Sequence, residues 1–333
     1  MVDGFFVVGP RAGVAAARKT AEGGDSLGDA DGYREALEDL NEERVAHLWV
    51  DGPKALKTWS PGGDPGRLGD GPGVAELLVK DDTATVQVVA GIASMRRAGL
   101  LASGADTNSL DLLSEVPERA LVAAAVPGLG ARAGRLRRRL DRALGADTGS
   151  LLGDLGDTVL YLGRVDSSYP GEPTVEAALG ARTKDPDGYL QRVGRVVGRL
   201  PGVNYRFRPS NTTSSREPSA DVRLPDGGYV DLEARSDDGL FVPAYGLSAT
   251  AMFASPPLGD TGRYRSALRR LGKGFRPTLF VDLRGALTAL GRAGVGIDPP
   301  PAPRRYLQRV DSVMAGDRAA GDRLTTRLTI NLR

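Results

Sequence analysis

The sequence predicts an α+β protein, built of mostly antiparallel sheets with short helices packed on one face. Three observations predict it. Apolar and polar residues alternate in several stretches, as in Thr83 to Ala90 and Leu324 to Leu332, the period of a half-buried strand with one wet face. Other stretches space apolar residues three and four apart, as in Tyr33, Ala36, Leu37 and Leu40, the stripe of an amphipathic helix. Finally, one segment occurs twice. Leu27-Gly28-Asp29, Tyr33-Arg34, Ala36-Leu37, Leu40, Val50-Asp51 and Ala55-Leu56 return as Leu258-Gly259-Asp260, Tyr264-Arg265, Ala267-Leu268, Leu271, Val281-Asp282 and Ala286-Leu287, at a constant offset of 231 residues. A self-match at fixed offset is the signature of a repeated structural unit.

The elements follow in order. Asp3-Gly4 opens a turn and Phe5 to Val8 a short strand, matched by Asp238-Gly239-Leu240-Phe241-Val242. A small helix covers Gly13 to Glu22. Asp29 and Asp260 stand where an N-cap belongs, ahead of the amphipathic helix. In the strand Val45 to Asp51, Ala46, Leu48 and Val50 share one side and His47, Trp49 and Asp51 the other. Glu76 to Lys80 and Thr83 to Ala90 flank Asp81-Asp82 as a hairpin. Between the two copies lies a different block. Ala120 to Val126 reads as a buried strand, and Leu129, Ala133, Leu136, Leu140 and Leu144 as one helix face. Thr158 to Gly163 and Thr174 to Arg182 are strands. Asp185-Pro186 starts a helix, with Asp as cap and Pro in the first turn. Val203 to Arg208, Asp221 to Leu224 and Tyr229 to Ala234 are further strands. The organisation is tail (1–100), head (112–237), tail (238–333), with the head and second tail as one unit.

Composition narrows the chemistry. The 333 residues carry 44 Lys and Arg against 42 Asp and Glu, no cysteine and one histidine. Disulfides and thiolate zinc sites are excluded, and a His-rich metal centre has no ligands. Near-neutral charge argues against a nucleic-acid partner. No cofactor is implied. The longest apolar run, Ala120 to Val126, falls far short of the roughly 20 residues of a transmembrane helix. The N-terminus lacks the basic and cleavage regions of a signal peptide, so the chain as given reads as soluble and unaddressed.

The Asp-Gly-Phe-Phe-Val strand, the Ser26-Leu27-Gly28-Asp29-x-x-x-Tyr33 helix start and the Trp49-Val50-Asp51 strand resemble the bacterial DUF3352 family. So do Val116-Pro117-Glu118-Arg119-Ala120-Leu121-Val122 and Thr183-Lys184-Asp185-Pro186. The resemblance covers most of the chain and carries no catalytic signature. It implies an extracytoplasmic envelope protein of uncharacterised function, with an N-terminal membrane helix in full-length members. Against that pattern the chain lacks the anchor and a first head. It reads as a fragment or as a member without its anchor.

Each candidate for chemistry has a plainer reading. Gly128-Leu129-Gly130-Ala131-Arg132-Ala133-Gly134 follows a strand as a dinucleotide loop does, but its third glycine is one residue late and Pro127 interrupts the turn. It reads as a Gly-rich strand-to-helix turn. The helix after it carries Arg132, Arg135, Arg137, Arg138, Arg139 and Arg142. Of these Arg135, Arg138 and Arg142 are the candidate contacts for an anionic envelope component. His47, the one imidazole, reads as an ordinary strand residue, since Thr278 replaces it in the second copy. Asp51 and Asp282, at a strand end before Ala-Leu, read as a helix cap or a turn. Asp25, Asp29, Asp31 and Glu35 form a poor calcium loop, because Leu27 sits where an oxygen ligand is required.

The expectation is therefore a non-enzymatic extracytoplasmic or envelope binding protein, for which a hydrophobic or lipid-like ligand is conceivable. A structural or protein-interaction module is the second reading, and a carboxylate hydrolase the third.

Overall fold

A computed structural model describes residues 11–29, 31–38, 40–50, 73–92, 112–132, 148–164, 175–197, 203–209, 216–223, 229–237, 239–245, 255–292 and 307–333. Helix α1 (Arg11–Ala21), a 3-10 turn (Leu27–Asp29) and α2 (Asp31–Glu38) lead to β1 (Ala46–Val50), β2 (Gly73–Lys80) and β3 (Thr83–Gly91). Then come α3 (Leu112–Glu115), β4 (Ala120–Val126), α4 (Leu129–Arg132), α5 (Thr148–Gly153), β5 (Thr158–Arg164), β6 (Val175–Arg182) and α6 (Pro186–Val197). β7 (Val203–Pro209), β8 (Arg216–Arg223), β9 (Tyr229–Asp237) and β10 (Leu240–Tyr245) follow. A second 3-10 turn (Leu258–Asp260), α7 (Gly262–Leu271), β11 (Arg276–Val281), α8 (Leu283–Arg292), β12 (Val310–Ala320) and β13 (Arg323–Leu332) complete the order. The thirteen strands form one sheet, ordered β1-β2-β3-β13-β12-β11-β4-β5-β6-β10-β9-β8-β7. Every pairing is antiparallel. Mixed helix and strand with an antiparallel sheet is the class the alternation predicts.

Local chemistry explains several boundaries. The Asp185 carboxylate accepts from the Gly188 amide at 2.9 Å and Pro186 opens α6, whose first-turn amides lack partners within the helix. Gly239, at φ +79°, stands in the turn between β9 and β10, where Leu240 pairs with Asp237. α7 departs from expectation. Its cap is Thr261, whose hydroxyl accepts from the Tyr264 amide, because Asp260 is already spent in the 3-10 turn.

The two matching segments take up the same elements. Each has a 3-10 turn, a helix and a strand. Arg34 donates to the Asp29 carbonyl at 2.8 Å, and Arg265 to the Asp260 carbonyl at 2.5 Å. Tyr33 meets Trp49 edge-on at 6.0 Å, and Tyr264 meets Phe280 edge-on at 5.4 Å. Ala36 and Leu40 are buried, as are Ala267 and Leu271. The strands β3 and β13 that close these two regions pair with each other, Thr83 opposite Asn331 and Gly91 opposite Arg323.

The helices are not all on one face, which corrects the expectation. Successive side chains on a strand point to opposite faces. Val242 belongs to the large core with Phe280, Met314, Tyr161, Leu112, Tyr264 and Leu271. Its neighbour Phe241 belongs to a separate core with Ala181, Tyr189, Leu190 and Leu155. α7 therefore packs on one face and α6 on the other. The sequence there is apolar on both parities, with small residues along β6, so both faces offer a packing surface. α2 lies on the same face as α7, over Val74 and Val89.

Tyr189 anchors the second core. Its ring lies 4.7 Å from Phe241 and its hydroxyl donates to the Leu151 carbonyl at 2.8 Å. Burial, aided by the nearby Asp154 charge and opposed by Arg192, pushes its phenol up from 10.0 to about 12. The fold thus favours the neutral form. The stability this contributes is complete below pH 10 and is lost as pH rises through about 12. Tyr189→Phe should be less stable than wild type at pH 8 by about 1 kcal/mol, the worth of one hydrogen bond. Denaturant midpoints measured between pH 8 and 12 should converge toward the upper end. Parallel pH profiles would contradict this.

Candidate functional site

The interior face under α2 and α7 carries a polar row. Glu76 on β2 pairs in register with Gln87 on β3, and Gln87 with Arg327 on β13. The Gln87 amide nitrogen donates to Glu76 Oε1 at 2.9 Å. Its oxygen accepts from Arg327 Nε at 3.0 Å and Nη2 at 2.7 Å. Arg327 Nη1 donates to the Leu271 carbonyl at 2.8 Å, and the Asn41 amide donates to Glu76 Oε2 at 2.7 Å. The guanidinium lies 4.1 Å from the centre of the Phe275 ring. Burial, with Arg318 adding to it and Glu76 opposing, holds the Arg327 pKa below its ordinary value. The row is an ion pair relayed by one amide. Both carboxylate oxygens of Glu76 are bonded, so the row supplies neither a general base nor a ligand set.

The alternation in these strands runs opposite to the hydrophobic-in, polar-out rule. Gln87, Thr325, Thr329 and Asn331 are buried, whereas Val86 and Val88 are exposed. Helices α2 and α7 lie over the polar side. Asn331 Nδ2 donates to Ser312 Oγ there at 3.0 Å, while Asn331 Oδ1 is buried without a partner. The sequence reasoning missed Glu76, Gln87 and Arg327. Their one signal is a charged or amide residue on the polar parity of three different strands.

A second ion pair, between an exposed arginine and a buried carboxylate, ties the middle strands. Arg119 donates through Nε and Nη2 to the two oxygens of Glu176, at 2.7 and 2.6 Å. Arg263, on α7, bonds the Asp282 carboxylate and the Glu118 carbonyl, and the Ala120 carbonyl at 3.2 Å. Asp282 also caps α8, accepting from the Gly285 amide at 2.8 Å. That is one of the two roles expected of it; Asp51 lies outside the described residues.

The remaining candidates resolve similarly. His47 is exposed, its Nε2 2.9 Å from the Tyr33 hydroxyl and its Nδ1 3.5 Å from Arg44 Nε. Both contacts are to groups that offer no carboxylate. Asp29 accepts from the Ser26 amide and hydroxyl at 3.0 and 2.6 Å, and the hydroxyl hydrogen bond lowers its pKa. Glu35 pairs with Arg323 at 2.9 Å. No group of three or more His, Cys, Asp or Glu able to hold a metal occurs among the described residues. In the Gly-rich turn, the Gly128 amide donates to Asp157, and those of Leu129 and Gly130 to the carbonyls of Gly156 and Leu155. These donors are spent within the protein, and β5 runs antiparallel to β4, so no phosphate cradle forms. A side chain at Gly130 would meet three carbonyl oxygens within 2.7 Å, which is why glycine stands there. Arg135, Arg138 and Arg142 lie outside the described residues.

The open face of the sheet is the other candidate. Through the strand register, Leu48, Val79, Val86, Val88, Leu160 and Leu162 all point to the side opposite α2 and α7. They are 38–60 % exposed. α6 covers this side at β6, β10 and β9, toward the end of the sheet far from β1. Among the described residues no helix is long and apolar enough to cross a membrane.

No protein-family model matches the chain, and no curated protein sequence matches it. Among solved structures, crystal forms IV and III of TP0453 align with TM-scores of 0.37 and 0.35, at 15% and 13% identity. They cover 69% and 67% of this chain, and 96% and 95% of theirs. At such scores they assign neither fold nor function.

Proposed function

We propose that the chain is a non-enzymatic binding protein of the bacterial envelope, acting outside the cytoplasm as a DUF3352-type protein, and that its open sheet face receives a hydrophobic or lipid-like ligand. In this reading the two tails are copies of one unit, and a membrane anchor belongs to the full-length form. The observation that carries the proposal is the inverted alternation of β3. Val86 and Val88 face water while Gln87 between them is buried. Leaving apolar surface wet forgoes about 25 cal/mol per Å², and a clustered patch of such side chains marks an interaction surface. The bonded state of Glu76, Glu176 and Asp282 supports a non-enzymatic role over a carboxylate hydrolase.

Vesicle flotation tests it. The protein should float with phosphatidylcholine vesicles, and more strongly when phosphatidylglycerol is included. Val86→Asp combined with Leu160→Asp should reduce flotation at least tenfold on both, since each charge is placed on exposed apolar surface. Reversing Arg135, Arg138 and Arg142 to Glu should remove only the increment due to the anionic lipid. Failure of the wild-type chain to float, or equal flotation of the Asp variant, would sink the apolar-face reading.

A further inference from the structure

We propose that the outer edge of β1 is a strand-addition site. It accepts, antiparallel, a strand of the β4 kind from another polypeptide: a short Ala- and Val-rich strand introduced by a helical turn. The inference rests on the equivalence of the two matching segments and is independent of any lipid ligand.

The equivalent edge in the second segment shows what such a site holds. There β11 is flanked by β4, with Leu279, Phe280 and Val281 opposite Ala124, Ala123 and Val122. The Asp282 amide donates to the Leu121 carbonyl at 2.8 Å, and the Leu258 amide to the Val116 carbonyl at 2.7 Å. Leu112, Leu113 and Val116, ahead of β4, are buried in the same core as Leu258, Tyr264 and Phe280. The strand and its introductory turn thus dock as one piece on the 3-10 turn, the helix and the strand edge.

The first segment has the same receiving parts. Its 3-10 turn, helix and strand match element for element, as do the Tyr33–Trp49 ring pair and the Arg34 bond to Asp29. β1 nevertheless ends the sheet among the described residues. Three side chains show the difference. Leu48 is 60% exposed, whereas its counterpart Leu279 is half-buried between β12 and β4. Val45, just before β1, is 64% exposed. Trp49 keeps a buried indole N–H with no acceptor, while its counterpart Phe280 has no donor to satisfy and is fully buried. An unpaired strand edge with exposed apolar side chains is a template for another strand. A buried donor without an acceptor costs stability, so the packing around Trp49 is less complete than that around Phe280. The clamp is the one part not repeated. Gly32 stands where Arg263 stands in the second segment, so the bonds of Arg263 to the Glu118 and Ala120 carbonyls have no counterpart at that position.

The test uses the full chain carrying Trp59→Phe, which leaves Trp49 as the single tryptophan, and a synthetic peptide of residues 112–126, which contains none. Peptide titration should give a saturable change in Trp49 emission. Leu48→Lys, an exposed substitution, should weaken binding at least tenfold. Leu160→Lys, on the open face away from this edge, should leave it unchanged, and a scrambled peptide should not bind. Absence of saturable binding, equal binding by Leu48→Lys, or equal weakening by Leu160→Lys would overturn the proposal. So would a stable dimer of the chain that Leu48→Lys dissociates, since β1 would then be closed by its own copy. None of these outcomes bears on vesicle flotation, so the two readings fail separately.

Discussion

Arg327→Ala is expected to lower the unfolding free energy by about 2–3 kcal/mol, the range for leaving buried hydrogen-bonding groups without their charged donor. Arg327 closes the row that begins at Glu76, which is 2% exposed. Without the guanidinium, Gln87 Oε1 loses both its donors and the Leu271 carbonyl loses its side-chain partner. The Glu76 carboxylate would keep only neutral donors, the Gln87 amide and the Asn41 backbone amide. The ring of Phe275 would lose the cation stacked on it at 4.1 Å. Two measurements separate the charge effect from lost packing. Arg327→Met keeps much of the stem volume and should recover less than half of the loss. The triple change of Glu76, Gln87 and Arg327 to Leu, Leu and Met should lie within about 1 kcal/mol of wild type or above it, because replacing the whole pair by apolar residues removes the desolvation penalty with the attraction. Guanidinium midpoints and slopes provide the readout. A loss below about 1 kcal/mol for Arg327→Ala would mean that water reaches Glu76, as it does for exposed pairs. The triple variant should still float with vesicles, since the row and the exposed valines lie on opposite sides of β3.

What the sequence reveals about this fold is mostly local. The strand from Ala120 to Val126 and the helix opened by Asp185-Pro186 are set by apolar period and cap chemistry, which act over a few residues. The Asp282 cap is legible for the same reason. Side preference is not. Thr83, Thr85 and Gln87 look like a solvated face because polarity alone cannot tell a wet row from a bonded one. The decision is made by Arg327, 240 residues away, and by the helices laid over that row. The pairing of β3 with β13, which joins the two matching regions, likewise has no local signal. The opposite faces used by Phe241 and Val242 were hidden by a run that is apolar on both parities. The open apolar face follows directly from that misjudged side. Val86 and Val88 are legible as part of an alternating set, and only their direction needs the structure; Val79, Leu160 and Leu162 carry no such signal.

Phe280→Ala should be at least as damaging as the loss of Arg327, whereas Trp49→Ala, at the matching position, should be mild. Phe280 is the largest fully buried side chain among the described residues. It sits between Met314 on β12 and Ala123 on β4 and meets the Tyr264 ring at 5.4 Å. Emptying that volume is expected to cost about 3–5 kcal/mol, the transfer loss plus the cavity left behind. Trp49 borders the sheet edge, is only partly buried, and carries an indole N–H without an acceptor. Its truncation removes less buried surface and also removes an unsatisfied donor, so the expected cost is roughly half or less. Trp49→Phe should cost close to nothing, because it keeps the edge-on contact with Tyr33 and deletes the orphan donor. Equal losses at the two positions, read from denaturant midpoints, would show that the first segment is packed as fully as the second. They would also remove the physical basis for an open edge at β1. Unequal losses, with the Trp49→Ala deficit enlarged once the 112–126 peptide is present, would place the difference in the missing flanking strand, because the ring gains buried contacts only when that strand is there to supply them.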